Sequence, residues 1–429
     1  MSAVLMAVFG VTLVLGVPIA FCMLLAGLAA VWFQGSLPPL VAVQQMFAGL
    51  DSFPLLAIPF FILAAELMTG GALTEVLLTF ASRLVGHVRG GLGHTNVLTL
   101  TFFSGISGSA LADVAGPGSM LIRMMRQAGY PAEYAAALTA ATAIVGPIIP
   151  PSIIMIVYAL TEPSVSIMGL FLAGVVPGLL VTGSLLAVNH LISSRRGYRS
   201  GKGRAPLGEL ARSFVRALPA LALPLIILGG IHFGVFTPTE ASAAAVFYAL
   251  LVGRFLYGTL RMHMLPALLL RTALLTGAVL MVIATSEVFG WVITVGQVPQ
   301  TVAQWIAGFG LGPIELLLLI NVFLLIAGIF IEPLPGVMIL VPVLAPLALA
   351  AGIEPLQFAI VVLVNLTLGM ITPPVGALLF VTTVVSGVPM GRMVRELLPM
   401  LGAQLVVLLL LTLVPGLSTW LPAAFGYTR

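Results

Sequence analysis

Apolar runs of bilayer length alternate with short polar interruptions along almost all of the 429 residues. A helix crosses the hydrocarbon core with about 20 apolar residues. Stretches at about 4–33, 53–69, 131–160, 167–193, 217–236, 240–256, 272–294, 356–386 and 398–422 are predicted as spans on that basis. Two further stretches, 92–128 and 312–350, are broken midway by small residues or prolines. Each is expected to be two short helices forming a re-entrant hairpin that enters and leaves on one side. Within 131–160 and 356–386, the pairs Pro150, Pro151 and Pro373, Pro374 remove helical donors and predict two broken helices. The pattern is that of an all-α polytopic membrane protein.

Composition agrees: 60% of residues are apolar, 7% are charged and the mean hydropathy is +1.21. The first 50 residues carry no charged side chain, so a basic signal-peptide region is missing and the first segment is expected to remain as a transmembrane helix. A single cysteine excludes an internal disulfide framework, and the five scattered histidines show no HExxH-type spacing. No GxxxxGK[ST] loop is present for nucleotide. The net charge of +4 does not point to nucleic acid, because the basic residues gather in short loops as the positive-inside rule requires.

Seven of the 17 basic residues fall between Arg195 and Arg216, which places the loop 194–216 in the cytoplasm. Counting outward puts Arg83, Arg89, Arg126 and Arg392 on the same side, the N-terminus in the cytoplasm and the C-terminus in the periplasm. The first hairpin then opens to the cytoplasm and the second to the opposite side, which predicts an inverted repeat. A shift of 223 positions aligns "SGISGSALADVAG" (Ser104 to Gly116) with "AGIFIEPLPGVMI" (Ala327 to Ile339), and "GPIIPPS" with "GMITPPV". Gly105 meets Gly328, Gly146 meets Gly369, and the proline pairs coincide. The organisation expected is an N-terminal repeat over 1–193, the basic loop, a connecting helix over 217–236 and a C-terminal repeat over 237–429. "TPTE" at Thr237 to Glu240 reads as a helix-capping box rather than a site.

Irregular backbone inside a membrane persists only where protein or a water-filled cavity satisfies it. Carbonyls near Gly146 and Gly369, freed by the prolines, form with the hydroxyls of Ser104, Ser107 and Thr372 a hard oxygen shell suited to Na⁺. Half-helices restarting after each break point positive dipole ends inward, suited to an anionic group. Two cation cages about a central anion site are the layout of a secondary transporter with inverted repeats. Ser109, Asp113, Thr142 and Asn365 lie close to the tips and breaks and are substrate candidates. Asp113 reads equally as a cap of the second hairpin helix, Glu332 as a tip gate or a loop acid, and Glu66 as a helix-end residue. No arginine falls near either break.

The motifs "IPFFILAAELMTGG", "FSGISGSALADVAGPGSM", "IIPPSIIMIVYA", "GGIHFGVFTPTEASAAAVFYALLVG" and "GMITPPVGALLFV" resemble the large membrane subunit of tripartite ATP-independent periplasmic (TRAP) transporters, over essentially the whole chain. The resemblance implies an elevator-type, Na⁺-coupled uptake system for organic acids such as C4-dicarboxylates or sialic acid in the bacterial inner membrane. It also implies a periplasmic substrate-binding protein and a separate small four-helix membrane subunit. Carried over by motif, one Na⁺ site uses Ser104, Ser107, Gly146, Ile149 and Pro151, and the other Gly328, Gly369, Thr372 and Val375. The static scaffold is expected to contain 4–33, 167–256 and 398–422.

Two other readings fit parts of the chain. A binding-protein-independent Na⁺/dicarboxylate symporter of similar fold shares prolines near hairpins. "GISG" at Gly105 to Gly108 matches the pattern around the nucleophile of rhomboid-type intramembrane serine proteases, although that chemistry needs a histidine base and all five histidines fall near predicted span ends.

Overall fold

In the computed structural model, which describes residues 1–35, 38–69, 73–198, 203–258, 260–307 and 309–427, the regular structure is all helical. Among the described residues, seven helices are long and apolar enough to cross a membrane: Ile167–Arg196, Leu207–His232, Pro238–Leu256, Met262–Val295, Pro313–Phe330, Pro333–Ala350 and Met390–Leu413. Helices dominate because every backbone donor and acceptor in hydrocarbon needs a partner within its own segment.

The two halves repeat element by element. Helices beginning at 91, 110, 132, 153 and 167 recur at 313, 333, 355, 377 and 390, with separations of 222, 223, 223, 224 and 223 residues. The first hairpin runs Gly91–Ser107, a tip at Gly108 and Ser109, then Ala110–Asp113, a wide π-type turn Val114–Gly118, and Ser119–Gln127. The second is Pro313–Phe330 and Pro333–Ala350. Ala132–Ala143 and Ile153–Thr161 form one broken helix, and Pro355–Gly369 and Ala377–Ser386 the other.

Several boundaries differ from expectation. Residues 4–33 are not one span: Ser2–Val14 and Ile19–Gln34 pack against each other around Phe9, Met23 and Ala26, because Gly16 at φ 76° and Pro18 end the first helix. The stretch 53–69 starts as a 3₁₀ turn before Ala57–Thr69, bent 64° from a preceding helix Leu40–Leu50. The stretch 398–422 ends at Leu413, and a short helix Gly416–Ala424 follows Pro415. The loop 194–216 includes the last turn of Ile167–Arg196 and the start of Leu207–His232. Leu40–Leu50, Leu73–Val85 and Val298–Ala307 were not predicted, since they mix apolar and polar positions or are too short to register as spans. Thr237 and Glu240 do form the capping box, each side chain reaching the other's backbone N–H.

The core is built on the broken helices. From Tyr134 to Ala143, and from Leu356 to Gly369, every residue is buried. The helices that follow each break pack crosswise. Met390–Leu413 lies against Ala132–Ala143 of the other repeat, and Ile167–Arg196 lies against Pro355–Gly369. A buried polar bond fixes the first of these contacts, Gln404 Nε2 donating to the Ala141 carbonyl at 2.8 Å, and within the second repeat Gln357 Nε2 donates to the Thr412 carbonyl at 2.9 Å. Tyr134 donates to Asn189 Oδ1 at 2.8 Å. At the helix ends, Arg196 pairs with Glu396 at 2.8 Å, Arg126 donates to the Ser386 carbonyl at 3.2 Å, and Arg83 pairs with Glu209 at 2.7 Å. Outside this core, Leu265–Val295 packs against Ile19–Gln34, Leu40–Leu50 and Ala57–Thr69.

At the second break, a methyl added to Gly369 would lie 2.5 Å from the Gly328 carbonyl oxygen, so the two chains meet backbone to backbone. Gly369→Ala should therefore destabilise the protein by about 1–3 kcal/mol or more through overpacking. Gly402→Ala, where nothing lies within 4 Å, should leave the melting temperature in detergent unchanged or raised.

Candidate functional site

The first tip is built by local rules. Gly108, at φ 59°, closes the helix Gly91–Ser107, and the Ser109 hydroxyl caps the next helix by accepting from the Ala112 N–H at 3.4 Å. The cap is thus Ser109 and not Asp113. Asp113 is fully buried and folds back onto the arm, accepting from the Ser104 hydroxyl at 3.1 Å and from the Ser107 hydroxyl through its other oxygen.

This tip seats on the first break. Pro150 and Pro151 supply no N–H, so the carbonyls of Gly146 and Pro147 lose their ordinary helical donors. The Ser152 hydroxyl takes up the Pro147 carbonyl at 2.8 Å. A methyl on Gly146 would stand 2.9 Å from Asp113 Oδ2, and one on Gly108 would stand 2.8 Å from the Pro151 carbonyl oxygen. A methyl on Gly105 would contact Ile149 Cγ2 and the Pro150 oxygen, both at 3.8 Å. Ser104, Ser107, Gly146, Ile149 and Pro151 are therefore brought together, with Asp113 added to them. Hydroxyls, a carboxylate and carbonyls are hard oxygen donors, which suit an alkali cation better than a soft metal.

The second tip and break meet differently. Gly328 touches Gly369, and Gly376 N–H, at φ 54°, donates to the Ile329 carbonyl at 3.4 Å. The Thr372 hydroxyl donates to the Leu368 carbonyl at 2.8 Å, and Val375 lies beside Gly376 in the same turn. The residues aligned with Ser104, Ser107 and Asp113 are Ala327, Phe330 and Gly336. Backbone oxygens and Thr372 are left as the donors here.

Both tips open on one cavity of about 140 Å³. Gly108, Ser109 and Ala110 line it from the first tip, Glu332 and Pro333 from the second, Pro147 and Ile153 from the first break and Met370 from the second. Glu332 starts the helix Pro333–Ala350 without a side-chain cap bond, so its carboxylate is a cavity-wall group. Of the four substrate candidates, Ser109 alone is on this wall. Thr142 donates to the Leu138 carbonyl one turn before Gly146, and Asn365 Nδ2 donates to Asn321 Oδ1 at 2.7 Å, both away from the cavity. Asp113 lies behind the tip. Sequence reasoning missed Asn321 and Gln404, whose only signal is a lone amide in an otherwise apolar run. The Ser107 hydroxyl is engaged by a carboxylate rather than by a histidine base, which removes the geometric support for the protease reading.

Comparison with known proteins follows the same outline. The family model described as "Tripartite ATP-independent periplasmic transporter, DctM component" matches residues 6–417. The sialic acid TRAP transporter large permease protein of Vibrio cholerae is 40% identical over 96% of this chain and 96% of its own length. The C4-dicarboxylate TRAP transporter large permease protein of Pseudomonas aeruginosa is 43% identical over 89% of each. Among solved structures, the Alcanivorax borkumensis YdaH transporter, described as having an unusual topology, shares the fold with a TM-score of 0.60 at 16% identity, covering 90% of this chain and 89% of that one.

A double-mutant cycle between Ser107→Ala and Asp113→Ala, read from melting temperatures of the purified protein, should give a coupling of about 0.5–3 kcal/mol. Additive effects would mean that the two side chains do not share a bond in solution.

Proposed function

The chain belongs to the DctM component family of TRAP transporters and is a multi-span membrane protein, the large permease subunit of such a system, and from that premise we propose that it drives Na⁺-coupled uptake of an organic acid by an elevator movement. The observation that carries this reading is the meeting of two tip-and-break pairs, repeated at a 223-residue spacing, on one cavity.

The first Na⁺ is held by the Ser104 and Ser107 hydroxyls, the Asp113 carboxylate and the carbonyls of Gly146, Ile149 and Pro151. The second is held by the carbonyls of Gly328, Gly369 and Val375 with Thr372. The carboxylate substrate sits between the tips, where Ser109 and the starts of the helices at Ile153 and Pro333 offer donors and positive dipole ends. Glu332 repels a bare anion there, so cation binding must precede or accompany substrate binding. The cavity is smaller than the roughly 300–1,000 Å³ of ordinary ligand sites. A compact acid of the C4-dicarboxylate class suits it as it stands, whereas a sialic acid needs the tips to part.

The moving unit comprises the hairpins, the broken helices and the helices Ile167–Arg196 and Met390–Leu413. The buried bonds of Gln404, Gln357 and Tyr134 tie these last two to the broken helices, which revises the expectation that 167–193 and 398–422 are scaffold. Leu40–Thr69, Leu207–Leu256 and Leu265–Val295 form the frame. A small four-helix subunit extends that frame, and a periplasmic binding protein delivers the substrate. The protein resides in the bacterial inner membrane with a periplasmic C-terminus. Because 4–33 is two packed helices, the positive-inside count no longer assigns the N-terminus to the cytoplasm.

Uptake into proteoliposomes, with binding protein and small subunit supplied, should require an inward Na⁺ gradient; undiminished uptake without Na⁺ would overturn the coupling. Ser107→Ala and Thr372→Val should each raise the Na⁺ concentration for half-maximal uptake severalfold. An unchanged Na⁺ dependence in both would take those side chains out of the two cages.

A further inference from the structure

A second polar cleft, of about 360 Å³, lies away from the transport cavity, between the helix Leu73–Val85 and the start of Leu207–His232. Glu209, Arg212, Ser213 and Arg216 line it from the longer helix, at the i, i+3, i+4, i+7 spacing of a single face. Glu75, Thr79 and Arg83 face them from the shorter one. Arg83 and Glu209 neutralise each other at 2.7 Å, and the Ser213 hydroxyl is spent on the Leu210 carbonyl. Arg212 and Arg216 stand exposed one turn apart, and Glu75 is the carboxylate left in the wall to oppose them.

Position narrows the ligand. No charged residue occurs from Ala217 to Ile231, so the cleft sits where the apolar length of Leu207–His232 begins, at the level of lipid head groups. Val215, three residues on from Arg212, and Leu218, three further, are exposed on the outer flank of the same helix. Paired guanidinium forks suit a phosphate, and basic pockets at this depth between membrane helices recognise anionic head groups. We propose that the cleft binds the phosphate of an anionic phospholipid between Arg212 and Arg216, with an acyl chain lying along Val215 and Leu218.

A ligand held there bears on the moving unit. Phe214 beside the two arginines packs on Phe80 with ring centroids 5.5 Å apart, and Phe80 stacks on Phe102 of the first hairpin at 5.7 Å. The lipid thus braces Leu73–Val85 against Leu207–His232 at the base of the first hairpin arm.

The test is a lipid titration of the purified full-length chain in mild detergent, read by native mass spectrometry and by melting temperature. Phosphatidylglycerol should bind and raise the melting temperature, and phosphatidylcholine should do so at least about tenfold more weakly. Arg212→Gln with Arg216→Gln should lose that preference, whereas Arg395→Gln should keep it. Arg212→Lys with Arg216→Lys retains the charge without the fork, and intermediate affinity there supports the site even where the Gln variant is too unstable to purify. Equal affinity for the two lipids in the parent, or full affinity in the Gln variant, would overturn the proposal. Inorganic phosphate reproducing the whole effect at the same concentration would overturn the lipid assignment in favour of a soluble anion.

Discussion

A backbone amide or carbonyl stranded in hydrocarbon loses several kcal/mol, and the architecture around the cavity between the two tips follows from that penalty. Two proline pairs open the two central helices, and the freed carbonyls are answered one by one. The Ser152 hydroxyl takes Pro147 and the Leu378 N–H takes Met370, while at the end of the preceding helix the Gln404 amide takes Ala141. Glycines then let the hairpin tips approach until backbone meets backbone, sealing the irregular segments from lipid. Oxygens that remain, at Gly146 and around Asp113, are available to a cation.

The two halves share a backbone plan and differ in what they hang on it. Where the first tip carries two serines and an aspartate, the second carries Ala327, Phe330 and Gly336. The first cluster thus brings a carboxyl group and rotatable hydroxyls, and the second relies on fixed carbonyl dipoles. A carboxylate interacts more strongly with a monovalent cation than a neutral carbonyl does at equal distance. In the proposed Na⁺ reading, an ionised Asp113 would make the first cluster the stronger of the two on electrostatic grounds, and the second would depend more on how closely its hairpin is seated.

Much of this was legible in the chain because its signals are covalent and local. Proline removes a donor wherever it stands, and a 223-residue offset is visible without any fold. The helix interruptions at the tips and breaks stand at those glycines and prolines for that reason. The short helices Leu40–Leu50, Leu73–Val85 and Val298–Ala307 escaped, because hydropathy detects spans and none of these qualifies as one by itself. The direction of buried side chains escaped as well. Asn365 and Thr142 sit at matched positions one turn before Gly369 and Gly146, yet a helical position does not say whether a side chain turns toward a cavity or a neighbouring helix. Asp113 showed the same limit: its two readings were equal until Ser109 was seen to fill the cap.

The crosswise packing of the helices after each break bears on how such a molecule is assembled. Gln404, from the second half, satisfies a carbonyl in the first half's broken helix, and Ile167–Arg196, from the first half, covers the broken helix of the second. During synthesis the first half therefore leaves the ribosome with the Ala141 carbonyl lacking its amide partner, and about two hundred further residues must be threaded into the bilayer before Gln404 arrives. The interval between the two halves is thus a stage at which the first broken helix lacks the cover that Met390–Leu413 later gives it.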